Sequence, residues 1–191
     1  MNITLRPYQE TAIENVRGLL RKGLRKVVLV MPCGGGKTVV AASMIHSALA
    51  RGSRCLFLAH RKELIDQTVD KLNSFGVNPG VIMATDRRRD DLLPVQVASV
   101  QSLVRRLDKK PPARLVVVDV CHHAASDTYK QIRSAYEDAV ILGLTATPWR
   151  SDKIGLGDTY QDSVLACTPS ELITLGALVP SDTFAYDAPD L

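Results

Sequence analysis

Met31-Pro32-Cys33-Gly34-Gly35-Gly36-Lys37-Thr38 brings three glycines, a lysine and a threonine together directly after the apolar run Val27-Val28-Leu29-Val30. Glycines let the backbone turn tightly, so that several N–H groups face one anion. A helix that starts as the loop ends adds the positive end of its dipole. Lys37 adds a full charge at the β- and γ-phosphate oxygens, and Thr38 offers a hydroxyl to Mg²⁺. A strand before and a helix after distinguish a phosphate loop from a chance glycine-rich turn. Cys33, Gly34, Gly35, Gly36, Lys37 and Thr38 are therefore candidate nucleotide-binding positions. Met31 stands where the strict pattern has Ala or Gly, at a bend that carries no ligand.

A second chemical position is Asp119, which ends the run Leu115-Val116-Val117-Val118. A carboxylate at the end of a buried strand is the natural partner of Mg²⁺ in phosphate-loop enzymes. Taken alone, a solvated strand end explains Asp119 equally well. The phosphate loop upstream favours the metal role.

These groups need a scaffold, and the apolar pattern supplies one. Val27–Val30, Cys55-Leu56-Phe57-Leu58-Ala59, Val95-Gln96-Val97-Ala98, Leu115–Val118 and Val140-Ile141-Leu142-Gly143-Leu144 are short, continuous apolar runs. Such runs fit strands of a parallel sheet buried on both faces. Helical spacing lies between them: Pro7 through Leu20, Thr38 through Leu49, Glu63 through Phe75 and Asp127 through Tyr136. Strand and helix in alternation predict an α/β fold, a doubly wound and mostly parallel sheet with helices on both faces. The tail after Gly155 is less regular, with one short helix expected from Pro169-Ser170-Glu171-Leu172. Arg87-Arg88-Arg89-Asp90-Asp91 reads as an exposed loop, which a solvated surface explains better than a phosphate contact.

Composition narrows the classes. A length of 191 residues suits one domain with a real core, and 46% apolar residues are ordinary for a globular chain. Charged residues at 23% argue against long disorder. The balance of 24 Lys+Arg against 20 Asp+Glu gives +4, which a polyanion partner or a plain solvated surface would explain equally well. Cys33, Cys55, Cys121 and Cys167 contain no CxxC pair, so a zinc site is not expected, and they read as reduced thiols of a cytoplasmic protein. Neither a signal peptide nor a run long enough to span a bilayer is present, so no membrane partner is expected.

Val120-Cys121-His122-His123 follow Asp119, and the stretch resembles the Asp-Glu-x-His box of superfamily 2 helicases, with Val120 in place of the glutamate. In that family the glutamate polarises the attacking water, and the box histidine, here His122, couples the ATP site to the next motif. The resemblance makes Lys37, Asp119 and His122 the catalytic set. Val120 cannot accept a proton, and general-base assistance is worth about 10²–10⁴-fold, so slow hydrolysis is expected. Other segments resemble the family in order. Leu5-Arg6-Pro7-Tyr8-Gln9 is similar to its adenine-sensing segment, with Gln9 reading the base edge and Arg6 close to the base. Ala59-His60-Arg61-Lys62-Glu63 is similar to motif Ia, which implies strand-phosphate contacts at His60 and Arg61. Val97-Ala98-Ser99-Val100-Gln101 is similar to the next nucleic-acid motif, with Ser99 and Gln101 as contacts, although Ser99 also suits a helix N-cap. Gly143-Leu144-Thr145-Ala146-Thr147-Pro148 is similar to motif III, in which Thr145 and Thr147 would relay nucleotide state.

The resemblance covers roughly residues 5–150 and is nearest the branch shared by restriction-enzyme motor subunits and phage or organellar helicases. It implies a first RecA-like domain over residues 1–180, with 181–191 beginning a linker to a second RecA-like lobe. It further implies ATP and Mg²⁺ as cofactors and DNA or RNA as partner, with DNA slightly ahead. A motor lobe and an ATP-dependent clamp that binds without hydrolysing are the two readings that remain. A GTPase lacks its Asn/Thr-Lys-x-Asp motif here, and a kinase leaves the Thr-Ala-Thr segment unexplained.

Overall fold

A computed structural model describes residues 4–84, 86–119, 127–147 and 159–180. Seven strands form one sheet: β1 (Lys26–Val30), β2 (Cys55–Ala59), β3 (Gly80–Ile82), β4 (Val95–Ser99), β5 (Leu115–Val118), β6 (Val140–Thr145) and β7 (Asp162–Leu165). Their spatial order is β3-β4-β2-β5-β6-β1-β7, and every pairing is parallel. Among the described residues six α-helices connect or flank them: α1 (Pro7–Arg21), α2 (Lys37–Leu49), α3 (Lys62–Ser74), α4 (Val100–Val104), α5 (Asp127–Ala135) and α6 (Pro169–Thr174).

The continuous apolar runs are explained by burial from both sides. Alternate residues of a strand point to opposite faces. Val27, Leu29, Phe57, Val97, Val117 and Leu142 face one layer, where Ile13 and Val16 of α1, Val40 and Ile45 of α2 and Ile65 and Leu72 of α3 cover them. Val28, Leu56, Leu58, Val116 and Ile141 face the other, under Leu103 of α4 and Tyr129 and Ile132 of α5. Phe57 is fully enclosed, and truncating such a ring to alanine costs about 3–5 kcal/mol.

The five inner strands and helices α1, α2, α3 and α5 lie where the apolar pattern puts them, with ends shifted by a residue or so, whereas α4 follows only from the N-cap that Ser99 suits. Two strands go beyond it. β3 has only three residues, and β7 buries only Val164, so neither carries a pattern that stands out from a loop. β7 pairs with β1 and converts the irregular tail into a seventh strand. The tail helix is α6, whose Thr168 accepts from the Glu171 N–H while the Glu171 carboxylate accepts from the Thr168 N–H, a reciprocal capping box. Val120, Cys121, His122, His123, Pro148 and residues 181–191 lie outside the described residues. None of the helices among the described residues is long and apolar enough to cross a membrane.

Candidate nucleotide and nucleic-acid site

In a parallel sheet all strands end on the same edge, and connections leaving that edge collect the functional groups. Here the strand order places β4, β2, β5, β6 and β1 side by side. Their carboxyl ends present, in that spatial order, Ser99, His60, Asp119, Thr145 and the loop that begins at Met31. Strands lie about 4.8 Å apart, so Asp119 is two strand spacings, about 10 Å, from the root of the loop. Sequence positions spread from 31 to 145 thus become one row.

The loop is built as its glycines predict. Gly34 and Gly36 have φ of 79° and 89°, values that an L side chain adopts only with strain. Gly36 is the N-cap of α2, and a Cβ there would overlap the Gln9 amide nitrogen. Lys37 folds back over the loop, its Nζ donating to the carbonyl oxygens of Met31 at 3.0 Å and Pro32 at 3.3 Å. Those are neutral acceptors, and anionic oxygens bind an ammonium more strongly, so a phosphate group has a ready donor in this position. Thr38 stands half-buried in the first turn of α2.

Gln9 is placed differently from a free reader of a base. It is buried, its Oε1 accepts from the Arg6 N–H at 3.0 Å, and its Nε2 donates to Gly35 O at 3.0 Å. One amide N–H and one lone pair remain for any further partner. Tyr8, which the sequence did not single out, donates from its hydroxyl to the same Gly35 oxygen at 3.0 Å. Arg6 is exposed beside it and reaches the Tyr8 hydroxyl. The start of α1 therefore clamps the phosphate loop by a carbonyl, whatever else it does.

The C-terminal segment supports the loop from another side. A Cβ on Gly34 would come within 2.6 Å of the Leu178 side chain. Cys167 is buried close enough to Lys37 to feel its charge: burial and the Glu171 carboxylate push its thiol up, and Lys37 opposes them. Neither contact was legible in the sequence, since both join residues far apart along the chain.

Asp119 is buried, and its N–H donates to Leu58 O at 2.9 Å, which extends the β5–β2 pairing by one residue. Thr145 is buried; its hydroxyl donates to Thr147 O at 2.8 Å and accepts from Thr147 N–H at 3.2 Å. The Thr145 carbonyl accepts from Met31 N–H at 2.9 Å. The last residue of β6 is thus tied directly to the first residue of the loop, while Thr147 is exposed.

The other half of the edge holds the motif Ia and following-motif residues. His60 Nδ1 and Gln101 Nε2 sit 3.3 Å apart, and the His60 ring meets Tyr129 edge-on with centroids 5.2 Å apart. Arg61 is the exposed N-cap residue of α3 and makes no ion pair among the described residues. Ser99 is the N-cap of α4, its Oγ accepting from Ser102 N–H at 3.1 Å; its hydroxyl proton is left for another acceptor. Arg61, His60, Ser99 and Gln101 therefore cluster at the ends of two paired strands. The arginine run is a different matter. Arg88 bridges Asp86 at 2.5 Å and Asp66 at 2.6 Å, and Arg89 pairs with Asp91 at 2.7 Å. Two of its three charges are already matched, in keeping with an exposed structural loop.

The model of the type III restriction enzyme res subunit family matches residues 2–150. A 51.5 kDa protein of Lactococcus phage (isolate 7-9) is 34% identical over 160 residues, which is 84% of this chain and 32% of that protein. The type I restriction enzyme EcoKI endonuclease subunit of Escherichia coli (strain K12) is 32% identical over 177 residues, 75% of this chain and 15% of the relative. The chain thus spans a third or less of these relatives. Among solved structures, the UvsW helicase from bacteriophage T4 superposes with a TM-score of 0.68 at 19% identity, covering 86% of this chain and 61% of that one. That likeness gives the fold, the RecA-like arrangement of helicase domains. With a glycine loop, an acidic strand end and a Thr-Ala-Thr segment aligned on one sheet edge, and a family model matched across them, the chain belongs to the type III restriction enzyme res subunit family.

Proposed function

We propose that this chain is the first RecA-like lobe, residues 1–180, of an ATP-driven motor that tracks along nucleic acid, with 181–191 leading toward a second lobe. The observation that carries the reading is the single row of Ser99, His60, Asp119, Thr145 and the phosphate loop along the carboxyl edge of the sheet. In that row the glycine loop and Lys37 bind the β- and γ-phosphates. Thr38 and Asp119 are oxygen donors, the donor type that Mg²⁺ selects, and two protein ligands suit an ion that keeps water and phosphate oxygens for the rest. Bound Mg·ATP supplies the phosphoanhydride whose hydrolysis drives movement.

Arg6 and Gln9 face the base side, with Gln9 also fixing the loop through Gly35 O. Thr145 links Asp119's neighbour strand to Met31 N–H, so a change at the phosphates reaches β6 through one hydrogen bond. His122 belongs to the same relay by its place in the acidic box. His60, Arg61, Ser99 and Gln101 hold the strand, chiefly through phosphates. DNA is preferred over RNA, a reading supported by relatives named as restriction endonuclease subunits and as a DNA 3'-5' translocase, and the setting is cytoplasmic.

Val120 favours a second reading alongside the first: with no carboxylate to activate water, ATP binding outlasts its hydrolysis and the lobe acts as an ATP-dependent clamp. Two measurements test these readings. Lys37→Ala should weaken ATP binding roughly 100-fold or more, since it removes a charge-assisted contact at the phosphates; unchanged affinity in a titration overturns the phosphate-loop assignment. ATP turnover by the two-lobe protein, with DNA or RNA added, should rise sharply for Val120→Glu. Equal turnover by both forms would mean another residue activates the water.

A further inference from the structure

A cavity of about 550 Å³ opens at the opposite end of the sheet from the phosphate loop, among the residues that enter β1, β2, β5 and β6. Strands of five residues separate the two edges by about 17 Å, so this cavity is no part of the nucleotide site. Four arginines line it, Arg17, Arg25, Arg51 and Arg114, against the single carboxylate of Asp138. They come from α1, the lead into β1, the turn after α2 and the lead into β5, four segments that only the fold brings together.

Their present partners leave much of this charge unspent. Arg17 donates to Ser47 Oγ at 3.2 Å and lies 3.9 Å from Glu14. Arg25 donates to the backbone oxygen of Asp138 at 3.1 Å, a neutral acceptor. Arg51 and Arg114 have no ion pair or side-chain hydrogen bond among the described residues, and both are exposed. The cavity walls also include the apolar side chains of Met44 and Leu115, each largely buried.

Guanidinium forks match the paired oxygens of phosphate and hold them better than a point charge does. An apolar wall beside such forks suits a flat hydrophobic body attached to the anion. The volume lies in the range of small-ligand sites, about 300–1,000 Å³. We infer that this cavity is a second anion site, which takes a phosphate ester carrying a ring, as found in a nucleoside monophosphate or at the phosphorylated end of a nucleic-acid strand. Arg51 and Arg114 grip the phosphate, and the Met44–Leu115 wall receives the ring.

The test uses Lys37→Ala protein, in which the phosphate loop is disabled, and follows the arginine Nε–H signals by NMR as AMP or a 5'-phosphorylated dithymidine is added. Saturable shifts of Arg51 and Arg114 are expected, with affinity, read in the variants from the Arg17 and Arg25 signals of the same cavity, falling at least tenfold for Arg51→Gln/Arg114→Gln and partly recovering with Arg51→Lys/Arg114→Lys. Binding of AMP would assign a free nucleotide; binding of the dinucleotide alone would assign a strand end; either supports the site. Both substituted side chains are exposed, so the variants keep the fold, which circular dichroism verifies. Absence of shifts at both arginines, or an affinity indifferent to the double substitution, overturns the proposal.

Discussion

The two halves of the carboxyl edge are held in different ways. Around the phosphate loop, polar groups from distant segments converge on the backbone: Tyr8 and Gln9 on Gly35 O, Lys37 on Met31 O and Pro32 O, Met31 N–H on Thr145 O. Around motif Ia the contacts are between side chains: His60 meets Gln101 at 3.3 Å and the Tyr129 ring edge-on, and Arg61 is exposed with no ion pair among the described residues. On the proposed reading the first half binds Mg·ATP in one geometry and gains from donors fixed in advance. On the same reading the second follows a polymer whose phosphates recur, and an exposed charge such as Arg61 suits contacts that re-form along it. The proposed function thus gives the more fixed half of the edge to the ligand that varies least.

This contrast can be broken at its stiff end first. Gly36→Ala forces a side chain into φ 89° and against Gln9, strain of about 1–3 kcal/mol. ATP affinity should fall tenfold or more, while strand affinity measured without nucleotide stays within twofold; an equal loss of both would mean the halves are not separately built. Arg61→Ala is the reciprocal change. It should weaken strand binding severalfold and reduce the slope of log K against log salt by about 0.7–0.9, leaving ATP affinity alone; an unaltered slope removes Arg61 from the phosphate contacts.

Tyr8→Phe deletes one hydrogen bond to Gly35 O and should cost about 1 kcal/mol in ATP affinity. Its effect on strand binding should be nil, and a larger effect there than on ATP would reverse the assignment of the clamp. The smallest expected effect concerns acid. The loop between β3 and β4 is fastened by ion pairs, and the Arg88 guanidinium holds the Asp86 carboxyl down at about 2. A depressed carboxyl stabilises above its unfolded value near 3.8 and loses that contribution as pH falls toward 2. Amide protection factors in residues 86–91, corrected for intrinsic exchange, should therefore fall between pH 4 and about 2 before those of the phosphate loop. Simultaneous loosening of both would show that their fastenings are alike.

Much of this organisation was legible in the amino-acid order. The five inner strands announced themselves because burial on both faces leaves no room for polar alternation, as in Leu115–Val118. The phosphate loop was legible because its groups are contiguous. β7 was not: three of its four residues are exposed, and it is a strand only because β1 offers it a hydrogen-bonding edge. Tyr8 was passed over for a similar reason. A tyrosine near a helix start has no signature until the fold brings Gly35 O within 3.0 Å of its hydroxyl. Ser99 shows the converse, for the N-cap that its position allowed is formed.

The placement of β1 has a consequence for how the molecule comes into being. Its two neighbours are β6 and β7, both made near the other end of the chain, so the strand that launches the phosphate loop emerges early and waits. At about 5–20 residues per second, the delay before Asp162 can meet Val27 is roughly 7–30 s. Long-range parallel pairing is also slow to form once the partners exist. During that interval Val27, Val28, Leu29 and Val30 are an unpaired apolar edge, open to mispairing with any other strand in reach. A nascent chain arrested before β7 would carry every residue of the phosphate loop and yet present that strand as a seed for aggregation.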